Sequence, residues 1–194
     1  MMQKKEVRTF CPASQKEWRQ WLEKNHKSGQ SVWLVCYKKK TSVPSITHSD
    51  AVDEGLCFGW IDSTRKSIDS KMFVQFFCRR KPTSVWSKVN KGKVLRLIEN
   101  GLMAKAGFDS IEIAKQNGSW LILDEVEELI IPEDLADEFK GKSGSMDYFL
   151  SLSKSVRKSI LQWLVLAKRP ETRQRRIAEI VVLAAQKLKR KHVL

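Results

Sequence analysis

The chain has 194 residues, 42% of them hydrophobic and 30% charged, with a net charge of +14. That length and mix suit a globular protein with a core of its own, and they exclude a disordered tail or a small scaffold dependent on disulfides. No stretch approaches the roughly 18 consecutive apolar residues of a membrane span, and no apolar run follows the charged start MMQKKEVRTF, so no integral membrane insertion is expected and the expected location is the cytoplasm.

The first predicted element is a helix over 14–25. Ser14 is its cap, Glu17 follows three residues on, and Trp18, Trp21 and Leu22 share one face. SVWLVCY at 31–37 is rich in β-formers and predicts a strand with both faces covered. Thr47 opens a second helix with the capping-box shape THSD, and Ala51, Val52 and Leu56 follow at helical spacing. A strand is expected at 58–61, although Gly59 interrupts it, and glycine in a strand marks a bulge or a close backbone approach. The polar run 62–69 reads as a turn with room for a further short strand, and MFVQFFC at 72–78 as the next strand, paired antiparallel with the one before it.

From residue 84 onward the pattern is helical. Val94, Leu97 and Ile98 share a face of a helix capped by Ser87 or Asn90 and ended by Gly101. A helix over 104–117 follows, with Ile111 and Ala114 inward. Pro132 begins a short acidic helix, and KGKSGS at 140–145 has a linker composition. Two amphipathic helices complete the chain, broken at Pro170. The expected fold class is α+β: a small antiparallel sheet packed with helices, followed by a C-terminal helical hairpin. The expected domains are a core over 1–140 and the hairpin over 146–194.

Charge is unevenly distributed. Residues 1–100 carry 20 Lys or Arg against 9 Asp or Glu, 101–152 carry 4 against 11, and 153–194 carry 12 against 2. Two basic blocks flanking an acidic one predict a positive potential that attracts anions. Two constellations concentrate it. Trp60 and Asp62 precede a basic loop containing Arg79, Arg80, Lys81, Trp86, Ser87, Lys88 and Asn90, and aromatics interleaved with cations suit a base, sugar or phosphate. Lys168, Arg169, Arg173 and Arg176 surround the start of the last helix, where an anion would also meet the helix dipole. Against these stand two plain alternatives: core tryptophans, and arginines paired with the acidic block.

Several chemistries lack their signature. Cys11, Cys36, Cys57 and Cys78 show no metal spacing, and His26, His48 and His192 share none with Cys, Asp or Glu. There is no P-loop, GxGxxG, GxSxG or HExxH. No metal or cofactor is expected.

The runs LCFGWID at 56–62, RRKPTSVWSKVN at 79–90, GLMAKAG at 101–107 and AKRPETRQRRI at 167–177 together resemble the YdeI/OmpD-associated, bacteriocin-protection family of bacterial proteins. The resemblance implies a link to survival of bacteriocins or antimicrobial peptides and brings no reaction or catalytic residue with it. Two departures stand out. This chain has Phe77–Cys78 and Ala104–Lys105 where the family has Thr-Pro, and the second change removes a natural helix cap worth about 1 kcal/mol.

The expected function is non-enzymatic binding of an anion, nucleic acid ahead of a small phosphorylated molecule. The alternative is an enzyme of unknown class using Asp62, Arg79, Ser87 and Asn90.

Overall fold

A computed structural model describes residues 8–28, 31–38 and 40–188. Two compact units emerge, one comprising Met1–Ser84 with Val89–Trp120, the other Val85–Lys88 with Leu121–Leu194.

The first unit is built on a four-stranded sheet of order β1-β2-β4-β3, with β1 at Arg8–Phe10, β2 at Val32–Tyr37, β3 at Trp60–Ser67 and β4 at Met72–Arg79. The last three strands are antiparallel as expected, but β1 runs parallel to β2, with Arg8 opposite Val32, so the sheet is mixed. Three residues, RTF, are too short to show an alternation. Helix α1 (Gln15–Asn25) makes the crossover that a parallel pair requires. Ser14 accepts the Glu17 N–H, and Glu17 in turn accepts the Ala13 N–H at 2.9 Å, so the cap is reciprocal.

β2 buries Val32, Leu34 and Cys36 and leaves Trp33, Val35 and Tyr37 half-buried. One face is therefore fully covered, not two. Trp18 explains the covering. Its ring meets Phe77 of β4 edge-on at 5.4 Å, and its indole N–H donates to the Ala51 carbonyl of α2 (His48–Cys57) at 3.0 Å. Both helices are thus fastened to one sheet face. Thr47 caps α2 by accepting the Asp50 N–H.

The strand expected at 58–61 begins at Trp60. Phe58 is instead the C-cap of α2, and Gly59 has φ +70°. The polar run expected as a turn with room for a short strand is mostly strand, the body of β3, with most of its side chains exposed. The turn itself lies at 68–71, where the Asp69 carboxylate accepts the Lys71 and Met72 N–H groups at 2.6 and 2.8 Å. Between Asp62 and Arg65 three steps of β3 face two of β4, a β-bulge.

Helices α3 (Lys88–Glu99) and α4 (Lys105–Gln116) follow. Ala104, at the N-cap of α4, makes no side-chain cap hydrogen bond, as its departure from Thr implies. Ala104→Ser is expected to raise the unfolding free energy by about 0.5–1 kcal/mol, read from urea denaturation midpoints.

Helix α2 carries two buried carboxylates. Asp53 meets Lys93 at 2.5 Å and also Arg96, both from α3; Glu54 meets Gln15 at 2.7 Å and Arg19 at 2.8 Å, both from α1. Each buried charge is paired, as burial demands.

The second unit is helical. α5 (Asp124–Glu127), α6 (Glu133–Lys140), α7 (Ser145–Ser151), α8 (Lys154–Val165) and α9 (Pro170–Ala185) enclose Leu135, Phe139, Phe149, Leu161, Leu164 and Val181. α8 and α9 form the expected hairpin, and α6 packs on α9 beside it. Residues 140–145 make a tight turn in which the buried Ser145 hydroxyl reaches the Lys142 carbonyl at 2.6 Å and the left-handed Gly144 caps α7.

Candidate functional site

The residue between the two aromatics of CFGWID organises the site. Gly59 follows the last turn of α2 and lets the chain reverse into β3. A Cβ there would lie 2.8 Å from the Ala106 carbonyl oxygen and 3.1 Å from Ser110 Cβ, so α4 approaches this backbone too closely for any side chain. Gly107 makes the reciprocal allowance, since a Cβ on it would strike the Cys57 carbonyl. The Ala104 N–H donates to that carbonyl at 3.1 Å, and the Arg80 N–H donates to the Gly59 carbonyl at 2.9 Å. The α2–β3 turn, the exit of β4 and the start of α4 are thereby held together.

An open pocket of about 570 Å³ lies where they meet. Phe58, Gly59, Ala106 and Ile113 are among the residues lining it, and Lys27, Arg79, Arg80 and Lys81 bring four cations to it. Among the described residues lining it, the one carboxylate, Asp109, is bridged by Lys105 at 2.8 and 3.0 Å. His26 also lines the pocket, its ring 5.3 Å from that of Phe58 and its Nδ1 bonded to the Leu22 carbonyl at 2.8 Å. Arg80 is 7% exposed, and burial pulls its guanidinium down to about 10, an effect that the nearby Asp62 charge partly offsets. Burial also pushes the Cys36 and Cys57 thiols up to about 11, leaving them protonated at neutral pH.

Of the residues expected in the first constellation, Arg79, Arg80 and Lys81 line this pocket. Trp60 is fully buried, its indole N–H donating to the His26 carbonyl at 3.2 Å and its ring edge-on to Trp21 at 5.7 Å. Trp86 is 1% exposed in the second unit. Neither ring is open for stacking, because burying so large an apolar surface in the core outweighs leaving it on a contact face. Asp62 faces elsewhere, bonded to His48 and Gln75. Ser87 and Lys88 belong to the second unit, where Lys88 reaches Glu128 at 3.0 Å; Asn90 is half-buried in α3.

In the second constellation Arg173 forms a two-pronged bridge to Asp134, at 2.5 and 2.8 Å, and Arg176 lies over the Trp163 ring and donates to the Trp163 carbonyl. Lys168 and Arg169 are exposed. The hydrogen bond from Arg173 holds the Asp134 carboxyl below its ordinary range. The pair's contribution is therefore complete above the unfolded carboxylate's value of about 4 and fades as pH falls through the lower folded one. Arg173→Ala is expected to cost about 0.5–1 kcal/mol at neutral pH and progressively less as pH falls through the lowered range of the folded carboxyl, measured by urea unfolding across that range.

His26, Lys27, Phe58 and the α4 residues complete the pocket beyond the residues expected from the sequence. The signals available were the basic run 79–81 and the cationic end of α1.

Residues 10–110 match the family described as a domain of unknown function (DUF8412), and residues 128–187 match the family described as Bacteriocin-protection, YdeI or OmpD-Associated. No curated protein and no solved structure matches the chain. The motifs at 56–62, 79–90 and 101–107 fall within the first match and that at 167–177 within the second. The chain therefore belongs to the DUF8412 family through residues 10–110 and carries a YdeI/OmpD-associated domain in its C-terminal part.

Proposed function

We propose that the first unit is a binding module that takes a small anionic molecule, of the phosphorylated-metabolite kind, into the pocket beside Gly59. The observation that carries this is the convergence of Lys27, Arg79, Arg80 and Lys81 on one concave opening, where the lining carboxylate Asp109 is paired with Lys105. A buried guanidinium disfavours its own charge, and a bound anion would relieve that cost. The apolar wall of Phe58, Pro82 and Ile113 suits the uncharged part of the same ligand.

A concave site favours a small molecule over a nucleic-acid strand, which composition alone ranks first. The two tryptophans expected to stack on bases are buried. The proposal is of binding rather than turnover, since the groups lining the pocket suit charge recognition and Asp62 is engaged by His48 and Gln75. Bacteriocin protection is the description of the family matched at 128–187. For this chain we read it as a phenotype that ligand binding would serve, because a chain of charge +14 repels cationic peptides at long range.

Isothermal titration with adenosine 5′-monophosphate at low salt tests this. Binding should weaken as salt rises, and the double variant Arg79→Ala/Lys81→Ala should weaken it by about tenfold or more. Lys168→Ala/Arg169→Ala should leave it unchanged. Equal loss in both variants would contradict the assignment, and binding confined to a single-stranded oligonucleotide would favour the nucleic-acid reading.

A further inference from the structure

Asp62 takes no part in the pocket beside Gly59. Its Oδ2 accepts from His48 Nε2 at 2.9 Å and from Gln75 Nε2 at 3.1 Å, and the Gln75 amide also donates to the Ser63 carbonyl at 3.1 Å. Gln75 is 2% exposed, and its amide hydrogens hold both the carboxylate and the bulge that aims it. The chain Gln75 to Asp62 to His48 resembles the outer shells that orient a working imidazole: a buried donor fixes a carboxylate, and the carboxylate fixes the ring and its tautomer. In the neutral ring, Nε2–H directed at Asp62 leaves Nδ1 as an acceptor.

His48 opens onto a second pocket, of about 330 Å³, shared with Tyr37, Ser45, Arg65 and Phe73. The side chain of His48 is 42% exposed, so the ring is accessible. The Arg65 guanidinium carbon lies over the Phe73 ring, 3.9 Å from its centroid. Among the described residues no carboxylate or carbonyl accepts from its guanidinium. An exposed arginine held over an aromatic ring, with no carboxylate or carbonyl among the described residues taking its N–H groups, can offer them in two-pronged recognition of an oxyanion.

We propose that this pocket is a second ligand site, for a small molecule carrying an oxyanion beside a hydroxyl, with Arg65 taking the oxyanion and His48 Nδ1 accepting the hydroxyl. A sugar phosphate and a hydroxy acid share that chemistry. The site is independent of the pocket beside Gly59, and each pocket carries its own histidine reporter, His48 here and His26 there.

The test is a titration followed through the histidine ring signals by NMR, assigned with His48→Gln and His26→Gln. Glycerol 3-phosphate and glycerate are the two hydroxylated probes, and inorganic phosphate is the comparison. His48 should shift with at least one hydroxylated probe, which also identifies the oxyanion. Inorganic phosphate should bind several-fold more weakly, and Arg65→Lys should weaken the hydroxylated probe by about tenfold. A His48 signal that moves with neither probe, or moves undiminished in Arg65→Lys, overturns the proposal. Shifts confined to His26 overturn it while leaving the first pocket standing.

Discussion

Replacing Gly59 with alanine is expected to lower the unfolding free energy by about 2–4 kcal/mol. Two costs add. The residue holds φ +70°, a conformation that side chains of L-residues adopt only under strain. The new Cβ would also meet the Ala106 carbonyl at 2.8 Å, a backbone atom that moves only if α4 moves. Gly107→Ala is expected to cost a similar amount, because its Cβ would collide with the Cys57 carbonyl from the opposite side. Gly92→Ala supplies the control. It lies inside α3 with open space around it and should stabilise by about 0.5–1 kcal/mol. Denaturant unfolding of the three variants should give two large losses and one gain. Near-neutral Gly59 and Gly107 variants would mean that α4 does not sit against the α2–β3 turn.

Trp60→Ala is expected to cost about 3–5 kcal/mol, the usual range for emptying a fully buried tryptophan site. The ring closes the core behind the pocket, against Trp21, and its N–H satisfies the His26 carbonyl. Trp60→Phe keeps most of the volume and loses that hydrogen bond, for a cost of about 1 kcal/mol. Its ligand affinity should stay close to that of the unaltered chain, because the indole touches no open surface. A Trp60→Phe variant of normal stability that had lost binding would return Trp60 to the contact surface assigned to it from the sequence.

The elements with strong periodicity were legible. Ser14 and Thr47 cap the helices that their spacing announces, and MFVQFFC forms β4. β1 was not, because three residues carry no period and the strand exists only through its pairing with β2. The body of β3 was also hidden. An edge strand with polar outward side chains looks like a turn until its partner is known. Gly59 signalled a close approach in the sequence, but the residue approaching it, Ala106, lies 47 positions away and could not be read. The candidate site divides in the same way. Arg79 and Arg80 stood out by local charge, whereas His26, Ile113 and the pairing of Asp62 with His48 depend on tertiary contacts. Trp60 and Trp86 attracted a functional reading because aromatics beside cations suit both a core and a binding face, and sequence alone does not separate the two.

We propose that an anion binds in the pocket beside Gly59. An amide-resolved NMR titration with adenosine 5′-monophosphate tests it most directly. Perturbed amides should cluster at residues 26–27, 58–59, 79–81 and 106–113, and the cluster should vanish in Arg79→Ala/Lys81→Ala. No perturbation at low salt, or perturbation centred on residues 168–176, would contradict it.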